Sequence, residues 1–210
     1  MSLTTSGVGS TRENPKPGLT KGTCVGVYDI GSQADLYKPG QHKAQVIVVW
    51  KLPDQTMVVD GNTVPMNQAK FYTNSIYDGS GEGSESGLHK DLVSWRGRRF
   101  TDAEIKAFRL HNILGNHCML NIVEKKDNGV KIDSVMADPE GKAKKADGLC
   151  YWDMDNPAEN WESVPDWVKK FVRKSKEWET IAKFLPGEQA DQAPAQPATA
   201  QPVEEDEVPF

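Results

Sequence analysis

Residues 42–52 read His42-Lys43-Ala44-Gln45-Val46-Ile47-Val48-Val49-Trp50-Lys51-Leu52. In an extended chain Ala44, Val46, Val48, Trp50 and Leu52 fall on one side, and Lys43, Gln45, Ile47, Val49 and Lys51 on the other. That split predicts a β-strand with one strongly apolar face, and it places Trp50 in the core. A strand needs partners, and the flanking sequence supplies them. Residues 22–30 read as a preceding strand, with Gly26 marking a bulge or bend. Residues 31–41 form a loop that turns at Pro39-Gly40. On the other side, Met57, Val58 and Val59 run into Asp60-Gly61-Asn62, a hairpin signal, and residues 69–77 make an aromatic-rich strand.

Further along, residues 78–87 are a Gly/Ser loop with neither GxxxxGK[ST] nor GxGxxG in register, so no phosphate cradle is read there. Residues 88–95 predict a short helix stopping near Gly97. The next helix has a capping box at Thr101 and Glu104, Phe100 placed to staple onto Ile105, and Gly115 as its stop. Residues 117–126 and 130–137 are two strands joined by Asp127-Asn128-Gly129. Residues 147–165 are acidic, aromatic and irregular. Residues 166–185 predict one amphipathic helix whose stripe is Val168, Phe171, Val172, Trp178, Ala182 and Leu185; two placements stand, on the same chain's barrel or against a second copy in a homo-oligomer.

Three strands, a helix and two strands follow the order of an OB-fold, a five-stranded Greek-key barrel with its helix between strands three and four. An SH3-like barrel or a small α+β sheet shares parts of that order. The expected fold is mainly β: an OB-fold barrel over residues 21–160 with the helical insertion between strands 3 and 4, then the amphipathic helix at 161–186. Disordered tails flank it: an arm at 1–20, an Ala/Gln/Pro-rich linker at 187–202 and an acidic tip at 203–210.

Charge is unevenly spread. The 210 residues carry a formal −5, yet residues 186–210 hold six acids and no Lys or Arg. The remaining 185 residues have 25 basic and 24 acidic side chains, a formal +1. A nearly neutral domain can still bind a polyanion if its cations share a face. No apolar run has the length of a membrane span, and no leader-like segment opens the chain, so a cytoplasmic protein is expected. Cys24, Cys118 and Cys150 are odd in number and widely spaced, which fits reduced thiols.

The last seven residues are Glu204-Glu205-Asp206-Glu207-Val208-Pro209-Phe210: four acids, then an apolar hook. This tip resembles the C-terminal tails of bacterial and bacteriophage single-stranded-DNA-binding proteins, and residues 88–115 resemble a segment of bacteriophage replication-associated proteins. The resemblance implies a non-enzymatic protein, without cofactor, that binds and protects single-stranded DNA with little sequence preference. Its setting would be phage DNA replication, recombination or repair in the host cytoplasm. It implies that Glu204 to Phe210 recruit a polymerase, helicase, primase or nuclease. It also implies that the acids occupy the DNA groove until DNA displaces them.

An OB-fold binds oligomers across strands two and three, between the one-to-two and four-to-five loops. Single-strand binding needs cations along the phosphates and aromatic faces for the bases. The residues in those places are Tyr37 and Lys38 in the first loop, Lys43 and Lys51 on strand two, Lys70, Tyr72 and Tyr77 on strand three, and Lys125, Lys126 and Lys131 around the last hairpin. Phe71 and Tyr72 point to opposite faces; Tyr72, sharing Lys70's face, is expected to be the exposed one. Trp95, Arg96, Arg98 and Arg99 form the densest basic-aromatic cluster, and two readings stand: phosphate contact with stacking, or a structural Trp with arginines paired to nearby acids. Two other classes compete with DNA binding. One is a protein–protein adaptor. The other is a zinc enzyme assembled from His111, His117, Cys118 and Cys150, whose spacing matches no common ligand pattern.

Overall fold

The computed structural model describes residues 13–81, 83–141 and 148–188. β1 (Gly18–Ala34), β2 (His42–Val59) and β3 (Asn62–Thr73) form an antiparallel meander. β4 (His117–Glu124) pairs with β1, and β5 (Val130–Met136) pairs with β4, giving the order β3-β2-β1-β4-β5. A sixth strand, β6 (Cys150–Trp152), lies parallel to β1 at Gly26–Tyr28. The fold is therefore mainly β, an open six-stranded sheet with short helices. Among the described residues no ladder joins β3 to β5, so the closed barrel expected from the sequence order is not established. One bond crosses that gap: the Lys70 ammonium donates to the Asp133 carbonyl at 2.8 Å.

A register shift between Cys24 and Gly26 divides the work of β1. Residues 18–23 pair with β4 on one edge, and residues 26–28 give that edge to β6. The bulge is where the sequence places it. Asp60 and Gly61 both have positive φ, 49° and 79°, which makes the β2–β3 turn type I′. That tight turn lets β2 continue to Val59 and β3 begin at Asn62, longer strands than the composition suggests. β1 likewise starts at Gly18, inside the segment expected to be a free arm. β6 has no counterpart in the sequence reading; three residues carry too little alternation to be seen.

Both faces of β1 and β2 are covered. Val46, Val48, Trp50 and Leu52 face one core, together with Cys24, Tyr72, Leu120, Ile122 and the α1 residues Leu88 and Leu92. Ile47 and Val49 face a second core with Tyr28, Ile30, Trp152, Trp161, Val168, Val172, Ile181 and Leu185. The C-terminal segment thus packs on its own sheet. Trp152, Trp161 and Trp178 stack along it with ring centroids 5.2 and 6.4 Å apart.

α1 (Gly87–Arg96) ends at Gly97, in the left-handed conformation (φ 76°) that the sequence predicts there. α2 carries the expected capping box but spans only Asp102–Ala107. Phe108 leaves the helix in an extended conformation and meets Phe100 edge-on at 5.3 Å. A 3-10 turn at Leu110–Ile113 completes the segment, and the Gly115 amide donates to the Cys24 carbonyl at 2.8 Å. The single helix expected at 166–185 is also broken, into α3 (Asp166–Val172), α4 (Trp178–Ile181) and a 3-10 turn at Ala182–Phe184. The break occurs where the chain is tied to the end of β1. The Lys176 amide donates to the Ser32 carbonyl at 3.1 Å, and the Glu177 carboxylate accepts from the Ser32 amide at 2.8 Å. A continuous helix would have used the Lys176 amide internally. Among the described residues no helix is long and apolar enough to cross a membrane.

Candidate nucleic-acid interface

The sheet's second face is not wholly covered by the C-terminal segment. Between β2–β3, the β4–β5 hairpin and residues 163–167 runs a groove of about 870 Å³. Lys51, Lys70, Lys125 and Lys131 line it, four of the residues expected to contact DNA. Two aromatic rings stand in it, Phe71 at 44 % exposure and Trp167 at 38 %. Phe171 lies behind them, 5.0 Å from Phe71 edge-on and 6.4 Å from Trp167. Three rings therefore continue from the sheet into α3. Trp167 is missing from the sequence-based set; four residues before Phe171, it shares a helical face with the edge of the apolar stripe, so periodicity gives no sign that it faces the groove.

Phe71 and Tyr72 are the reverse of the expectation. Tyr72 pairs with Val46, and Phe71 with Ile47, so Tyr72 follows its partner into the first core while Phe71 faces the groove. Tyr72 is 6 % exposed and its hydroxyl donates to Asp91 Oδ2 at 2.7 Å. Burial, then the Asp91 carboxylate, pushes the phenol far above its ordinary value. The same carboxylate oxygen accepts from the Lys70 ammonium at 2.6 Å. Lys70 lines the groove, but Asp91 neutralises it. The cations that remain on the groove wall are Lys51, Lys125 and Lys131, with Lys131 3.9 Å from Asp133.

Other expected contacts lie elsewhere. Tyr37 is 91 % exposed beside Lys38 at the β1–β2 turn, and neither lines the groove. Lys43 pairs with Asp35 at 2.7 Å; that contact and the Tyr37 amide hold the Asp35 carboxyl below the usual range. The Tyr77 hydroxyl accepts from the Gly81 amide at 2.7 Å and so anchors the following loop. Lys126 is exposed on the β4–β5 hairpin without lining the groove.

The Trp95–Arg99 cluster borders a separate cavity. The Trp95 indole donates to the His117 carbonyl at 2.7 Å and its ring lies 6.1 Å from that of Trp50. Arg96 and Arg98 both pair with Glu104, Arg98 at 2.7 Å, and together they hold that carboxyl far below its usual range. Of the two readings of this cluster, the structural one describes these contacts; Arg99 is exposed.

The four residues considered for zinc do not gather, and among the described residues no three metal-ligating side chains converge. The His111 ring meets Tyr151, and His117 Nδ1 lies 2.8 Å from the Thr23 hydroxyl. Cys118 is buried in the first core, and the Cys150 thiol faces the Ser163 carbonyl at 3.7 Å.

Near the other end of β1, Asp29 Oδ1 accepts from the Gly31 amide at 2.9 Å. Burial first, then the carboxylates of Asp153, Glu177 and Asp155, raise the Asp29 carboxyl above its ordinary 3.8. A raised acid favours the protonated folded chain, so stability is lost as pH rises from the ordinary value through the folded one. Asp29→Asn keeps an oxygen for Gly31 and removes the charge. The variant should be more stable than the native chain at about pH 7, with the difference closing toward about pH 3. Urea unfolding at the two pH values checks this; a variant weaker at neutral pH would refute it.

The partner-binding residues Glu204, Glu205, Asp206, Glu207, Val208, Pro209 and Phe210 lie outside the described residues. No family model, curated protein or solved structure matches the chain.

Proposed function

We propose that this protein binds single-stranded DNA in the groove between β2–β3, the β4–β5 hairpin and α3. The observation that carries the reading is the joining of two exposed rings, Phe71 and Trp167, to Lys51, Lys125 and Lys131 on one wall system. Rings stack any base and lysines attract any phosphate, so binding has little sequence preference. The sheet order and the Lys70–Asp133 bond support an OB-type barrel in which β5 closes toward β3. The protein is a binder and protector in phage replication, recombination or repair in the host cytoplasm, not an enzyme. Its acidic tip recruits a polymerase, helicase, primase or nuclease; the tip's composition supports that part.

The test is a titration of the full chain with oligo(dT), following tryptophan fluorescence. Single strands should quench it and duplex of equal length should do so far less. Three groove lysines give a log–log salt slope of about −2, at about 0.7 per phosphate. Absent quenching and absent binding at low salt would remove the DNA reading and leave the adaptor.

A further inference from the structure

Among the described residues the most exposed large apolar side chains are neighbours, Leu36 and Tyr37, each 91 % exposed at the β1–β2 turn. The backbone that carries them is fixed. The Asp35 amide donates to the Gln41 carbonyl at 2.8 Å, the Gln41 amide to the Lys38 carbonyl at 3.0 Å, and the Tyr37 amide to Asp35 Oδ1 at 3.0 Å. Lys38 comes next, exposed and in no ion pair among the described residues. The turn is therefore a preformed knob, two apolar side chains with an ammonium group beside them, and a partner would not have to order it. None of the three residues lines the DNA groove.

Where α1, α2 and the turn before β4 meet, the surface has the opposite shape. A cavity of about 560 Å³ opens there, walled by Leu92, Trp95, Phe100, Phe108 and Ile113. Glu104 lines it too, but Arg96 and Arg98 already neutralise that carboxylate. Asp138 is the lining acid without an ion pair among the described residues. Its Oδ1 accepts from the Glu140 amide at 3.0 Å, and Lys21, which feels its charge, pairs with Glu140 instead.

We propose that this cavity receives the β1–β2 turn of a second copy of the chain, with the Tyr37 ring among the aromatic walls and the Lys38 ammonium toward Asp138. The volume lies within the range of pockets that enclose small ligands, about 300–1,000 Å³, and so has room for one ring. Knob and cavity match in both chemistries: ring against rings, and a free cation beside a free acid. The same chain cannot supply the knob. Thr23 pairs with His117 of the cavity lining, and β1 runs on from there to Ala34. Those eleven steps are roughly 36 Å of strand at about 3.3 Å each. Tyr37 lies three residues beyond, on a turn whose ends are paired at Ala34 and His42, so it cannot fold back over that length. One knob and one cavity per chain allow either a reciprocal pair or a row of copies. The contact does not depend on whether the groove binds DNA.

Sedimentation velocity of the full chain over a wide concentration range tests it. The average mass should rise above that of the monomer as concentration increases. Tyr37→Ser should weaken association about tenfold or more, because burial of an aromatic ring is lost. Ala107→Arg, at an exposed α2 residue that lines the cavity, should weaken it similarly by setting bulk and a charge like that of Lys38 in the mouth. Asp138→Lys takes its place if that variant folds poorly. Mixing the two single variants is the decisive arm. The Tyr37→Ser chain keeps its cavity and the Ala107→Arg chain keeps its knob, so an equimolar mixture should form 1:1 pairs that neither variant forms alone. A native chain that stays monomeric at every concentration overturns the proposal. So does association unchanged in either variant, or a mixture that associates no better than its components.

Discussion

Trp167→Ala lowers affinity for oligo(dT) by about 10- to 100-fold, the effect of losing one base–aromatic stack of about 1–3 kcal/mol. The same substitution removes most of the fluorescence quenching. Trp50, Trp152 and Trp161 are fully buried, and Trp95 and Trp178 are half-buried. Of the six tryptophans Trp167 is the most exposed, and it is the one that lines the groove. Trp167→Phe keeps a stacking face, so it should hold most of the affinity while still losing the signal. The indole is 38 % exposed and packs on Phe171, so Trp167→Ala also costs some folding stability, and affinity is compared at a temperature where both variants are folded. Wild-type affinity in Trp167→Ala, measured by anisotropy of labelled oligonucleotide, would remove the stacking platform from the account. Phe71→Ala then shows whether the sheet side of the groove contributes without it.

Trp161→Ala costs about 3–5 kcal/mol of folding stability, the usual penalty for truncating a buried Trp. Trp161 sits between Trp152 and Trp178, and the Lys169 ammonium lies 5.1 Å from its ring centroid. Its loss opens a cavity at the centre of the second core, between β1–β2 and the C-terminal segment. That segment also supplies Trp167, so DNA binding should weaken along with stability. Denaturant unfolding followed by near-ultraviolet circular dichroism measures the first effect, and oligo(dT) titration the second. A variant that unfolds at the wild-type denaturant concentration would show that the C-terminal segment does not need this ring.

The strand at residues 42–52, the capping box, the stop at Gly97 and the bulge near Gly26 are legible because each has a local cause; the stop expected at Gly115 is not one, because α2 already ends at Ala107. The facing of β3 is not, because β1 and β2 are covered on both sides. A sheet buried on two faces no longer marks its inside by alternation, so Phe71 and Tyr72 offer no cue about which is which. What orients them is pairing with Val46 and Ile47, a long-range fact. The broken C-terminal helix has a similar origin. Its stripe is real, and Val168, Val172 and Leu185 are buried as the pattern predicts. The interruption comes from Lys176 and Glu177 reaching Ser32, which periodicity does not encode. Of the expected site, Lys51, Lys70, Lys125 and Lys131 converge; Tyr72 and Lys43 are held by acids that sequence distance hides.

The covering of β1 and β2 by the last part of the chain has a consequence during synthesis. Val49 leaves the ribosome 112 residues before Trp161. At about 5–20 residues per second, that is a delay of about 6–22 s. Late in that interval, once β3, α1, β4 and β5 are made, the first face can close while Tyr28, Ile30, Ile47 and Val49 still show an uncovered apolar surface. The nascent chain therefore carries a sticky sheet until its C-terminal third emerges. A premature stop before residue 150 would leave a translation product prone to self-association, whatever the merits of the strands already made.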